Sequence, residues 1–195
     1  MGIPFTGVTV PLLRAHVAAS LLKVAAGVLA EQGQGASMTV IAETAGVGRA
    51  TLYRYFPTKD ALVAALYDRA LTHLKQQVTA AGLDTAPVPE ALARLTRIVI
   101  ATASEHRVLA LFDKTAAQAA EADQAIHEPF RQLFRRAAAE DVLRADIPVE
   151  GVYLALLEGM IGQVVSGRIG VEQASAAATA VFLDGARTHA VTRHQ

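Results

Sequence analysis

SMTVIAETAGVGRATLYRYFPTKDALVAAL, residues 37–66, decides the fold of this chain. Ser37 is a good N-cap, and Met38 to Ala45 is rich in helix formers, with Met38, Ile41, Ala42 and Ala45 at helical spacing. Gly46 ends that helix, because glycine accepts the left-handed backbone that the position after a helix requires, and Val47 turns inward. A second helix is expected from Arg49 to Phe56, with Leu52 and Phe56 at i and i+4 facing the first. Ala42 is small where the two must cross closely. Two short helices joined by such a turn make a helix-turn-helix, whose second helix enters the DNA major groove.

The outer face of that second helix carries the chemistry. Arg49, Ala50, Thr51, Tyr53, Arg54 and Tyr55 cannot all be buried in so short a helix. Arg49 stands at the N-terminal end, the end that meets base edges. A guanidinium can grip guanine O6 and N7 together, and Ala50 can touch a thymine methyl. Thr51, Tyr53 and Tyr55 offer hydroxyls to phosphate oxygens. Thr39, at the start of the preceding helix, is counted with these contacts. Pro57 stops the helix, Thr58 caps the next, and Lys59 lies in its first turn, where an ammonium and free backbone N–H groups suit a phosphate. The competing reading is a helix pair that packs without DNA, with Tyr53 and Tyr55 as ordinary surface residues.

AGVGRATLYRYFPTKDAL resembles the DNA-binding signature of the TetR family of bacterial transcription regulators. The specific likeness spans Leu21 to Leu66. It implies that Arg49, Ala50, Tyr53, Tyr55 and Lys59 touch DNA. One departure is Gly48, where the family usually has a serine N-cap; glycine there costs only about a few tenths of a kcal/mol. The resemblance further implies a homodimer that reads a palindromic operator, a small-molecule effector bound inside a helical body, and release of DNA when the effector binds.

Composition agrees with this reading. The chain has 195 residues, 52% of them hydrophobic, and no cysteine, so neither a disulfide framework nor a thiolate metal site is available. Net charge is zero overall, but residues 1–75 carry seven Lys/Arg against four Asp/Glu, so the positive excess lies with the motif. Residues 1–11 carry no charged side chain and read as a loose arm without the basic region of a signal peptide. No apolar run is long enough to span a membrane without a charge or glycine, and a cytoplasmic location is expected.

Outward from the motif, every periodic stretch is helical, so the expected class is all-α. Residues 1–57 form the arm and helix-turn-helix head, and residues 58–195 an effector-binding and dimerisation body. The first helix is expected from Leu12 to Gln32, with Leu13, Val17, Leu21, Val24, Val28 and Leu29 inward. A long helix from Lys59 to Ala80 buries Leu62, Leu66, Ala70 and Leu74 and joins head to body. Helical stretches follow at 89–104, 105–120, 125–142, 149–167 and 171–188, with a turn at Asp146–Pro148.

The last two helices carry small residues, Gly159, Gly162, Ser166, Ala174, Ala177, Ala178 and Gly185, beside apolar Leu156, Met160, Val164, Val181 and Phe182. They read as the dimer surface, the alternative being that they pack on their own core. Candidate pocket residues are Phe112, Phe130, Phe134, Tyr153 and Glu158. Aromatics in such positions are more often plain core than pocket lining, and Glu158 could face a cationic ligand, sit at a solvated helix edge or hydrogen-bond across the dimer. The six histidines show no HxxxH or HExxH spacing, and the pairs Glu105–His106 and His127–Glu128 diverge by about 100° on a helix. No metal site, cofactor, phosphate loop or nucleophile elbow is expected, and an enzyme is disfavoured. A helical dimer with a role away from DNA, or an activator, stands as the alternative.

Overall fold

The computed structural model describes residues 9–144 and 148–187. Eight α-helices follow in order: α1 (Thr9–Gln32), α2 (Met38–Thr44), α3 (Arg49–Tyr55), α4 (Lys59–Ala80), α5 (Val88–Glu105), α6 (Ala116–Ala139), α7 (Val149–Val165) and α8 (Val171–Ala186). Short 3-10 turns lie at Gly33–Gly35 and Arg107–Leu111. No strand occurs among the described residues; Leu143 and Arg187 form an isolated bridge. The fold is all-α, as the periodicity requires. The arm before Thr9, the residues Asp146 and Ile147 of the expected turn, and Thr188 lie outside the described residues.

By compactness the chain divides into two units. One runs to Arg69 and includes Val108–Asp113; the other comprises Ala70–Arg107 and the chain from Lys114 onward. α4 gives its first half to one and its second half to the other.

In the first unit, Leu21, Leu22, Ala25, Val28 and Leu29 of α1 are buried, with Ile41 and Ala42 of α2, Leu52 of α3, and Leu62, Val63 and Leu66 of α4. α1 begins earlier than its sequence pattern suggests, and Leu13, expected inside, is 63% exposed. α1 has 24 residues whereas α2 and α3 have 7 each, so the short pair cannot cover all of it. The stretch Leu12–Gly35 is long and apolar enough to cross a membrane by length and composition. Its buried leucines, however, already form the core of this unit.

The second unit is built around α5, which touches α6, α7 and α8. Leu92, Leu95, Val99 and Ile100 of α5 are buried with Phe130, Leu133 and Phe134 of α6, Tyr153 and Leu157 of α7, and Phe182 and Leu183 of α8. Most of the stretch expected at 125–142 is part of a longer helix, Ala116–Ala139, and Pro129 lies inside it. The helix starts instead at a capping box, in which Thr115 Oγ1 accepts from Gln118 N at 3.2 Å and Gln118 Oε1 accepts from Thr115 N at 3.0 Å.

The largest departure from expectation lies between α5 and α6. Residues 105–120 read as a helical stretch of the body, but the chain leaves the helix at His106 and makes a 3-10 turn that belongs to the first unit. The reason is a set of carbonyl partners. The buried Tyr67 hydroxyl donates to Leu109 O at 2.6 Å and lies 3.1 Å from Phe112 O, and Gln34 Nε2 donates to Leu111 O. Val108 and Leu109 are buried beneath them. Side chains thus satisfy carbonyls that a helix would otherwise have bonded itself.

α7 and α8 also divide more finely than their sequence suggests. Val164, Ala174, Ala178 and Phe182 are buried within the chain, whereas Gly159, Gly162, Ser166, Val181 and Gly185 are exposed.

Candidate nucleic-acid interface

The turn between α2 and α3 is fixed by capping. Ser37 Oγ accepts from Val40 N at 3.2 Å at the start of α2. At its end Gly46 adopts φ +67°, Gly46 N donates to Glu43 O at 3.0 Å, and Val47 N donates to Ala42 O at 3.0 Å. This is the paired 5→2 and 6→1 pattern of a Schellman motif, and it turns the chain sharply into α3. Gly48 then serves as N-cap at φ −65° and ψ 146°, without a side-chain bond. Leu52 is fully buried and Phe56 nearly so, which orients α3 about its axis.

With that face inward, Arg49, Ala50, Tyr53 and Arg54 are exposed, and Thr51 and Tyr55 half-buried at the margin. Thr39 is half-buried in the first turn of α2. The structure therefore brings Arg49, Ala50, Tyr53 and Arg54 to one exposed helix face, with Thr51 and Tyr55 beside them. It also adds a residue that sequence reading passed over. Arg14 of α1 places its guanidinium carbon 5.9 Å from the Tyr55 ring centroid, while Arg54 places its own 5.7 Å from the same ring. Tyr55 is thus held by two cations, and Arg14 contributes positive charge to the same region. The only sequence signal was that Arg14 is the first basic residue of the chain.

Lys59 has a different setting from the one its sequence position suggests. Thr58 Oγ1 caps α4 by accepting from Ala61 N at 3.0 Å. The Lys59 ammonium, however, donates to Gln34 O and to Ala36 O, the latter at 2.9 Å, and lies 5.8 Å from the Phe112 ring centroid. It ties the turn after α1 to the start of α4. Two of its three N–H groups are used within the protein, leaving one for any phosphate.

A family model described as "Bacterial regulatory proteins, tetR family" matches residues 21–66, the stretch that forms this surface. The HTH-type transcriptional regulator NfxB of Pseudomonas aeruginosa is 30% identical over 162 residues, spanning 77% of this chain and 84% of NfxB. This chain belongs to the TetR family. Two solved TetR-family structures share its architecture. The TetR transcriptional regulator SCO0520 from Streptomyces coelicolor is 31% identical, with a TM-score of 0.59 over 89% of this chain and 99% of that one. PfmR from Thermus thermophilus is 22% identical, with a TM-score of 0.72 over 84% of this chain and 97% of that one; that likeness is one of fold. As a TetR-family member the chain is a DNA-binding transcriptional regulator.

The five candidate pocket residues do not converge on one cavity. Phe130, Phe134 and Tyr153 do meet, together with Phe182, with ring centroids 4.6 to 6.4 Å apart. They are buried, packed on one another. The Tyr153 hydroxyl bonds Thr96 Oγ1, which donates to Leu92 O at 2.6 Å. Burial pushes the Tyr153 phenol up, against the opposing hydrogen bonds to Thr96 and Thr179. Phe112 sits in the first unit under Lys59. Glu158 is exposed at the edge of a cleft of about 340 Å³ between α6 and α7, which Ile126, His127, Leu154, Leu157 and Ile161 also line.

Proposed function

We propose that this TetR-family regulator is a ligand-responsive repressor, which binds a palindromic operator as a cytoplasmic homodimer and leaves it when a small molecule binds its body. The observation that carries the DNA-reading half is the exposed face of α3. Arg49, Ala50, Tyr53 and Arg54 point away from a helix whose opposite side is fixed by Leu52. Arg49 at the N-terminal end is the candidate base-reading group, and Thr39, Thr51, Tyr55 and Lys59 are candidate phosphate contacts at its margins. In this reading residues 1–57 read DNA, and residues 58–195 pair the chains and receive the effector.

Pairing is supported by α7 and α8. Val152, Ala155, Gly159 and Gly162 of α7, with its C-cap Ser166, recur at helical spacing on one side, all exposed. Val181 of α8 is 63% exposed. A Cβ added at Gly159, Gly162 or Gly185 would meet nothing within 4 Å, so each leaves room for the backbone of a second copy. Apart from Glu150, Glu158 and Gln163, α7 is apolar, and a helix with apolar residues on more than one side normally has cover on those sides. A two-fold dimer suits a head that reads one half-site. For the effector we place the site at the α6–α7 cleft beside Glu158, since the aromatic cluster is closed by its own packing.

The test is selection of bound sequences from random DNA with the purified full-length protein, followed by a screen for small molecules that release the bound sequence. Enrichment of an inverted repeat, protected by two chains, is the expected result. Absence of any enriched sequence would sink the DNA-reading assignment. Release that is abolished by Ile161→Trp, with operator affinity unchanged in the absence of effector, would place the effector in the α6–α7 cleft.

A further inference from the structure

One group of side chains has no part in DNA reading, pairing or the effector cleft. His73 lies on the second half of α4, Glu105 is the last residue of α5, and His106 is the cap of that helix. All three belong to the second unit. One ligand atom from each, an imidazole nitrogen from both histidines and a carboxylate oxygen, lies within 4.8 Å of the others.

The sequence hides this arrangement. Neighbours on a helix diverge by about 100°, so Glu105 and His106 read as a poor pair. His106, however, has left the helix, at φ −108° and ψ 26°, and that rotation no longer applies to it. α4 then supplies His73 from far back in the chain. His73 Nδ1 stands 3.4 Å from Glu105 Oε2. Ligand atoms held about 2.0–2.2 Å from a tetrahedral zinc ion are themselves about 3.3–3.6 Å apart, so this pair already has the required separation. The rings of His73 and His106 face each other edge-on, with centroids 6.2 Å apart. Both histidine side chains are half-buried, and metal binding requires a rotamer adjustment that closes the remaining distance.

Gln77 completes the arrangement. Its amide nitrogen lies 2.9 Å from His73 Nε2. Turning that amide over puts Oε1 in the same place, where it accepts from Nε2–H and leaves the Nδ1 lone pair facing Glu105. A hydrogen bond to the far nitrogen is how proteins orient a metal-binding imidazole.

We propose that His73, Glu105 and His106 bind one divalent transition-metal ion of the zinc class, with Gln77 positioning His73. Two imidazoles and one carboxylate suit Zn²⁺, Co²⁺ or Ni²⁺, whereas Mg²⁺ and Ca²⁺ take oxygen ligands. Three protein ligands leave the remaining positions to water. His73 lies four residues past Arg69 and His106 two residues before Val108, so the ion joins α4 to the end of α5 close to both points where the chain passes from one unit to the other. The site does not depend on the repressor reading.

The experiment is calorimetric titration of the tag-free full-length protein with Zn²⁺, with Mg²⁺ as the control, and absorption spectra of the protein with Co²⁺. The wild type should take one Zn²⁺ per chain and ignore Mg²⁺. His73→Ala and His106→Ala should each weaken binding at least about tenfold and remove the Co²⁺ ligand-field bands. Gln77→Ala should keep the stoichiometry and weaken binding by about tenfold, with the bands shifted. His127→Ala, at the separate His127–Asp123 pair, should bind as the wild type does. Melting without metal checks that every variant folds. Wild-type affinity in both His73→Ala and His106→Ala, a loss that follows His127 instead, or no Zn²⁺ uptake by the wild type overturns the proposal.

Discussion

The two units differ in the balance of interactions that hold them. The first is small, and its connections are pinned by polar side chains that reach carbonyls: Lys59 to Gln34 and Ala36, Tyr67 to Leu109, Gln34 to Leu111, and Arg69 to Ala19. The second has such ties as well, Arg136 to Leu83 and Ala86 and Arg94 to Ala81, but its centre rests on volume, with Phe130, Phe134, Tyr153 and Phe182 locked ring on ring. A single polar deletion should therefore be felt most in the first unit, and a single change of side-chain size most in the second. The contrast also serves function. A head whose exposed face must meet DNA has less apolar surface to bury, so directional bonds set its shape.

The largest effect expected is in the second unit. Phe130 is fully buried and stacks near both Phe134 and Tyr153. Phe130→Ala should lower stability by about 3–5 kcal/mol, as large-to-small changes in packed cores do. Chemical denaturation checks it. A loss under about 1 kcal/mol would mean that the cluster collapses around the void, and that this unit is not governed by volume.

Arg49→Ala should leave stability nearly unchanged, since the residue is exposed. Its expected cost is in binding: about 1–3 kcal/mol of discrimination at one base pair per half-site. Competition assays with single-base operator variants measure this. Equal weakening on all sequences would reassign Arg49 to a phosphate.

Lys59→Ala tests whether the first unit depends on polar ties. Charge-assisted bonds to carbonyls contribute about 1.5–3 kcal/mol each when shielded, and half-burial lowers this, so a loss of about 1–2 kcal/mol is expected. If the third N–H also meets a phosphate, the salt dependence of operator binding falls by about one ion. A weaker operator complex with unchanged melting would make Lys59 a DNA contact alone.

These contrasts explain what the sequence made legible. The head could be read because its signals are local: Ser37 before α2, Gly46 after it, and Pro57 and Thr58 before α4. The start of α4 at Lys59 follows from them directly. The misread stretch was 105–120, where no proline or glycine marks the break. Its carbonyl partners Tyr67 and Gln34 lie 42 and 77 residues earlier, beyond the reach of any local pattern. The aromatic cluster was visible as candidates, but whether Phe130, Phe134 and Tyr153 line a space or fill one depends on Phe182, which arrives from α8. Arg14 beside Tyr55 was hidden for the same reason: its partner comes from another helix.

The smallest effect compares the units through one tyrosine in each. Burial raises the Tyr67 phenol above its usual 10.0, with the nearby Asp113 charge adding to it, and burial likewise raises Tyr153. Each group keeps its proton longer in the folded chain than in the unfolded one. Its contribution is therefore fully present below 10.0, the unfolded value, and is lost as pH rises through the folded value. Stability should hold near neutrality and fall in the alkaline range. Tyr67→Phe and Tyr153→Phe should each remove part of that fall, but they should differ at neutral pH. Tyr67→Phe also takes the donor from Leu109 O, so a neutral-pH loss of about 1 kcal/mol is expected. Tyr153→Phe costs less there, because Thr96 keeps its bond to Leu92 O and the ring stays in the cluster. Denaturation curves at neutral and alkaline pH for the three proteins decide the matter. If both variants keep the full alkaline fall, other groups cause it. If Tyr153→Phe loses as much as Tyr67→Phe at neutral pH, the second unit too depends on directional bonds, and the contrast between the units does not hold.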